Sequence, residues 1–63
     1  MSEYQAKKYA ELIYDIGLKK YNGNKDNATE YAMQETINAY KNGKLKQKEM
    51  IKIMEWIVYT IEK

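Results

Sequence analysis

The chain contains no cysteine, histidine, arginine, proline or phenylalanine, and several classes of function go with them. Without cysteine there is neither a disulfide staple nor a thiolate metal site, and without histidine the usual imidazole ligand is missing, so no metal or other cofactor is expected. The familiar nucleophile and base pairs cannot be assembled either, since the single serine, Ser2, sits where a helix should be capped. Gly17, Gly23 and Gly43 are isolated, so no loop has phosphate-cradling spacing. The carboxylate pairs Glu11/Asp15 and Glu30/Glu35 read as solvated polar faces. A non-enzymatic protein with no small-molecule substrate is the expectation.

Long apolar runs are missing too. Lys52, Glu55 and the lysines before Met50 interrupt every stretch approaching the ~20 apolar residues that span a bilayer, so no membrane insertion is expected. The pattern of a secretory leader is not found, and an intracellular, cytoplasmic location is expected. On that reading the glycosylation triplet Asn27-Ala28-Thr29 is a chance match.

What is present is a 63-residue chain, read as one domain spanning 1–63, rich in lysine and tyrosine. A domain of this size buries only roughly 60% of the surface its unfolded chain exposes, so its core is marginal. With no covalent staple, packing must hold the fold, and dimerisation is one way to complete it. A net charge of +2 is too small to argue for a polyanion partner by itself.

Three segments carry helical periodicity. In the first, Ser2 and Gln5 have capping-box spacing; Tyr9, Leu12, Ile13 and Ile16 form the apolar face, and Ala6, Ala10 and Gly17 run along its edge. The glycine costs helix stability and is expected to permit a close helix contact. The second segment starts with Asp26 or Asn27 as cap, pairs Asn27 with Glu30, and turns Ala32, Met33, Thr36, Ile37 and Tyr40 inward. Each of these segments ends at an Asn-Gly, a helix stop. In the third, with Lys46 at the cap, Leu45 and Met50 have the spacing of a hydrophobic staple and Glu49 that of a capping-box acid. Met50, Ile51, Ile53, Met54, Ile57, Val58 and Ile61 span an arc of roughly 160° on that helix, broad enough for two neighbours. The pattern predicts an all-α, up-down-up three-helix bundle with helices near 3–21, 27–41 and 46–62.

Two surfaces stand out. Lys52, Trp56, Tyr59 and Lys63 form a stripe behind the apolar arc, with lysines placed to lie over the rings as rim packing or as the edge of an interface. Trp and Tyr are the residue types that anchor interfaces, and Tyr4, Tyr14 and Tyr31 are also placed outside the core. The second surface is the acid-free run holding Lys41, Lys44, Lys46 and Lys48, to which a bundle would add Lys7 and Lys8. It is a solvated loop or a phosphate-contacting end. Lacking arginine, the chain lacks the side chain that most often reads guanine, so nucleic-acid contact here would be independent of sequence. The leading expectation is a small regulatory or adaptor protein that binds another protein or a second copy of itself through the Trp56 stripe. The alternative is a nucleic-acid-binding accessory using the lysine end. Regulators of this size and bias are common products of AT-rich bacteria, phages and mobile elements, an association by composition only.

Overall fold

The computed structural model describes residues 1–62 and consists of three α-helices: α1, Glu3–Lys20; α2, Lys25–Lys41; and α3, Gln47–Glu62. All three pairs of helices touch, forming a small all-α bundle. The Met1 amino group lies 3.5 Å from Glu49 and Lys52 lies 3.0 Å from Glu3, so the starts of α1 and α3 adjoin and α2 runs back between them. No helix among the described residues is long and apolar enough to cross a membrane.

The caps follow local chemistry. Ser2 Oγ accepts from the Gln5 amide at 3.1 Å while the Ser2 amide donates to Gln5 Oε1 at 2.9 Å, closing the expected box. The stops also form as expected: Gly23 and Gly43 adopt φ of +82° and +77°, where an L side chain would be strained, and the Gly23 amide returns to Leu18 O at 2.7 Å. At α3 the Lys46 amide donates to Glu49 Oε1 at 2.8 Å, supplying the carboxylate half of a capping box although lysine itself offers no cap.

The entry to α2 differs from expectation. Its cap is Asn24, not Asp26 or Asn27, and Asn24 Oδ1 accepts from the Asn27 amide at 3.0 Å. Asn27 therefore lies inside the first turn, where its amide is the donor being capped. The helix starts two residues earlier than predicted because Gly23 completes the turn with Asn24 already extended.

The core matches the predicted faces in part: Ala32, Thr36, Ile53 and Ile57 are buried and Tyr9, Ile13, Met33 and Ile61 pack against the core, as expected, but other positions differ. On α1 the buried residues are Ala6, Ala10, Tyr14 and Gly17, the small edge, whereas Leu12 is 61% exposed and Ile16 also faces outward. On α2 they are Ala28, Ala32, Thr36 and Ala39, with Tyr40 exposed. Only Ile53 and Ile57 are fully buried on α3, while Ile51 and Val58, at the far side of the arc, stand 46% and 42% exposed. Tyr14 is a core residue, contrary to its predicted place. Small side chains draw the helix axes together, and once they meet the larger residues beside them are carried to the rim. Thr36 enters this core without penalty because its hydroxyl donates to Ala32 O at 2.8 Å.

Candidate functional site

The Trp56 stripe is built from two helices. Trp56 and Lys52 are one turn apart on α3, and across from them stands Glu3, the first residue of α1. Trp56 Nε1 donates to Glu3 Oε2 at 3.1 Å, and Lys52 Nζ lies 3.0 Å from Glu3 Oε1, so a single carboxylate holds both. Lys7, one turn further along α1, places its ammonium 5.5 Å from the centre of the Trp56 ring. Tyr59 meets Trp56 edge-on, with centroids 5.4 Å apart and planes at 84°.

These contacts revise the reading of the stripe. Lys52 serves an ion pair, and the cation over the indole is Lys7, which comes from the other helix. Lys63 lies outside the described residues. Nothing in local spacing could have revealed Glu3 or Lys7 as members, since Glu3 and Trp56 are 53 positions apart.

The stripe forms one wall of an open concavity of about 330 Å³ lined by Glu3, Lys52, Glu55, Trp56 and Tyr59. Trp56 is half-buried and its polar edge is satisfied, while Tyr59 is 50% exposed. That wall is therefore an aromatic surface tied at one edge to Glu3, whose carboxylate is paired with Lys52. Glu55 forms no ion pair among the described residues, and the Lys7 ammonium over the indole balances its charge across the surface. Such a surface has the composition of an interface centre, aromatic and with few net charges. No group of three or more acidic side chains among the described residues is arranged to hold a metal ion.

The Lys52 ion pair, then the Trp56 hydrogen bond, hold the Glu3 carboxyl below its ordinary value, against a smaller opposing effect of desolvation. Glu49 is lowered first by the Lys46 amide and, more weakly, by the Met1 amino group, with desolvation again opposing. A carboxyl depressed in the folded state binds its proton more readily when unfolded, so its stabilising effect is full above the ordinary carboxylate value of ~4.3 and lost as pH falls through the folded value. Thermal midpoints should be level near neutrality and decline as pH drops below ~4.3, with a shallower decline for Glu3→Gln. Midpoints recorded by circular dichroism across that window check this; an unchanged slope in the variant would count against the Glu3 contacts.

Of the six lysines of the other surface, Lys46 and Lys48 share a shallow hollow with Met1, Gln47, Glu49 and Lys52, and Lys8 borders a neighbouring one with Met1 and Glu49, while Lys44 lines a crevice with Tyr9, Ile13 and Asn38. Lys7 is over Trp56, Lys8 is 3.8 Å from Glu11 and over Tyr4, and Lys41 is exposed near the end of α2. Comparison with protein-family models, curated proteins and solved structures finds no match to this chain.

Proposed function

We propose that the protein is a small non-enzymatic regulator or adaptor that binds another protein at the concavity between α1 and α3. The observation that carries this reading is the indole of Trp56, fixed by Glu3 and Lys7 and left half-open beside Tyr59. An aromatic side chain held in place before binding loses little entropy on contact, which is what makes Trp and Tyr effective anchors. The partner presents an apolar side chain to the rings and a lysine or arginine to Glu55. The effect on that partner is occlusion or recruitment by surface fit.

Affinity capture from the native host tests this with two surface variants, Tyr59→Ala and Glu55→Lys. Both positions are exposed, so the fold should survive, and circular dichroism verifies it. The expected result is a protein retained by the wild type and recovered at least ~10-fold less with each variant, the size of effect expected at an interface anchor. Equal recovery by wild type and both variants would overturn the assignment of this surface.

A further inference from the structure

The loop lysines at one end of the bundle have no role in the reading above. Because α1 and α3 start together and α2 runs back between them, that end gathers the first half of α1, the last half of α2, the connecting loop and the first half of α3. It carries seven lysines and the Met1 amino group against four carboxylates, whereas the rest of the described residues carry three lysines against five. The small net charge thus hides a strongly uneven distribution.

Three of those four carboxylates are already engaged. Glu3 pairs with Lys52, Glu11 lies 3.8 Å from Lys8, and Glu49 accepts from the Lys46 amide while facing the Met1 amino group at 3.5 Å; the fourth, Glu35, lines the crevice of Lys44. Lys41, Lys44, Lys46 and Lys48 are exposed and form no ion pair among the described residues. Lys46 and Lys48 also stand where α3 begins, and the macrodipole disfavours cations there, so helix electrostatics does not account for them. The hollows that hold these lysines join. Met1 and Glu49 are shared by the hollow of Lys46 and Lys48 and by that of Tyr4 and Lys8, and Tyr9 is shared by the latter and the crevice of Lys44. The result is a shallow track around the end of the bundle. One ring stands open in it: Tyr4 is 68% exposed, more than any other aromatic among the described residues, with the Lys8 ammonium 5.5 Å from its centre.

We infer that this track binds single-stranded nucleic acid, with Lys8, Lys44, Lys46 and Lys48 on phosphates and an unstacked base on Tyr4. Lysines interleaved with an open ring hold a strand without reading its sequence, because every nucleotide brings a charge and every base a π-face. The absence of arginine fits that indifference. A duplex offers the same phosphates but keeps its bases stacked on one another, which leaves Tyr4 without a partner. An anionic bilayer would press a continuous negative surface onto the whole patch, Glu11, Glu35 and Glu49 included, whereas a strand sets its phosphates at intervals and passes between carboxylates. Lys52 lines both this track and the Trp56 concavity, so the four lysines assigned to phosphate leave the protein-binding surface untouched.

Fluorescence anisotropy of labelled oligothymidylate and oligouridylate, each about 12 nucleotides long, tests this with the full chain at about 50 and about 200 mM salt. Both strands should bind, and with four lysines on phosphate the affinity should fall about 50-fold between the two salts. Lys46→Gln with Lys48→Gln should bind at least ~10-fold more weakly at the lower salt and lose only about 7-fold over the same range. Lys19→Gln with Lys25→Gln removes the same charge from the other end and should stay within about 2-fold of the wild type, distant charges being screened. Tyr4→Ala should lose at least ~5-fold with its salt dependence unchanged, while Tyr4→Phe should bind like the wild type. All these positions are exposed, so the fold should survive; circular dichroism verifies it, and Lys8→Gln with Lys44→Gln stands in if the first pair fails to fold. Any one of five results would overturn the inference: no binding at the lower salt, equal losses from the lysine pairs of the two ends, an indifferent Tyr4→Ala, a duplex of the same length bound as tightly as the strand, or vesicles of phosphatidylserine and phosphatidylcholine bound in preference to it.

Discussion

Ile57→Ala should leave the chain largely unfolded at room temperature. Ile53 and Ile57 are among the largest fully buried side chains, sharing the interior chiefly with five alanines, Tyr14 and Leu45. Truncating a buried isoleucine costs about 2–5 kcal/mol through lost transfer energy and the cavity left behind. A core of this size rarely supplies more than ~3–5 kcal/mol in total, so the change consumes most or all of the margin. Ile57→Val removes one methylene, should cost about 0.5–1.5 kcal/mol, and should lower the thermal midpoint by several degrees while the protein stays folded. Thermal and urea unfolding followed by circular dichroism distinguish the two outcomes. An Ile57→Ala chain with a near-native midpoint would mean that the surrounding alanines collapse onto the vacancy. Both titrations belong at low protein concentration, because self-association would add stability by mass action.

The elements were legible in the sequence wherever chemistry was local. Ser2 with Gln5, the two Asn-Gly stops and Glu49 each act within five residues of their target, and each does what its spacing implies. Asn24 was missed because the run Asn22 to Asn27 offers several side chains able to cap, and which one succeeds depends on where the turn at Gly23 releases the chain. The rims of the core were misread for a different reason, while Ala32, Thr36, Ile53 and Ile57 are inside as their spacing implies. Hydrophobic periodicity weighs Leu12 and Ile16 above Ala6 and Ala10, but the approach of two helices is limited by the smallest residues between them. A face of Ala, Ala, Tyr and Gly wins because it admits Ala28 and Ala32 at close range. The large residues it displaces become the rims: Leu12 and Ile16 on α1, Ile51 and Val58 on α3.

The candidate site was legible only by half. Trp56, Tyr59 and Lys52 lie on one helix, and their spacing places them together. Their partners Glu3 and Lys7 come from α1, and only the parallel placement of α1 and α3 brings them near. A side chain read as spare from one helix thus proves to be tied at one edge and open at the other. That combination, a ring anchored at one edge with an exposed face, is the feature on which the proposed contact surface rests.

Gly17→Ala should destabilise the protein, against the usual direction for a glycine inside a helix. In isolation the alanine would strengthen α1 by about 1 kcal/mol. Here the added Cβ would stand 2.9 Å from Ala28 Cα, 3.0 Å from Ala28 O and 3.1 Å from Tyr31 Cδ2. Tyr31 can shift, but the first two atoms are backbone, so relief requires α1 and α2 to separate. Separation would expose part of the buried small-residue cluster that includes Ala10, Ala28 and Ala32. Overpacking of this kind costs about 1–3 kcal/mol and here outweighs the helical gain. Gly17→Val adds two further carbons and a stiff branch to the same clash, and should approach the Ile57→Ala result. The comparison of Ala with Val in unfolding experiments isolates the contact, because propensity alone would make the alanine variant more stable than the wild type. A Gly17→Ala chain that melts higher than the wild type would show that α1 and α2 yield at this crossing, and the close approach would then not be what holds the bundle together.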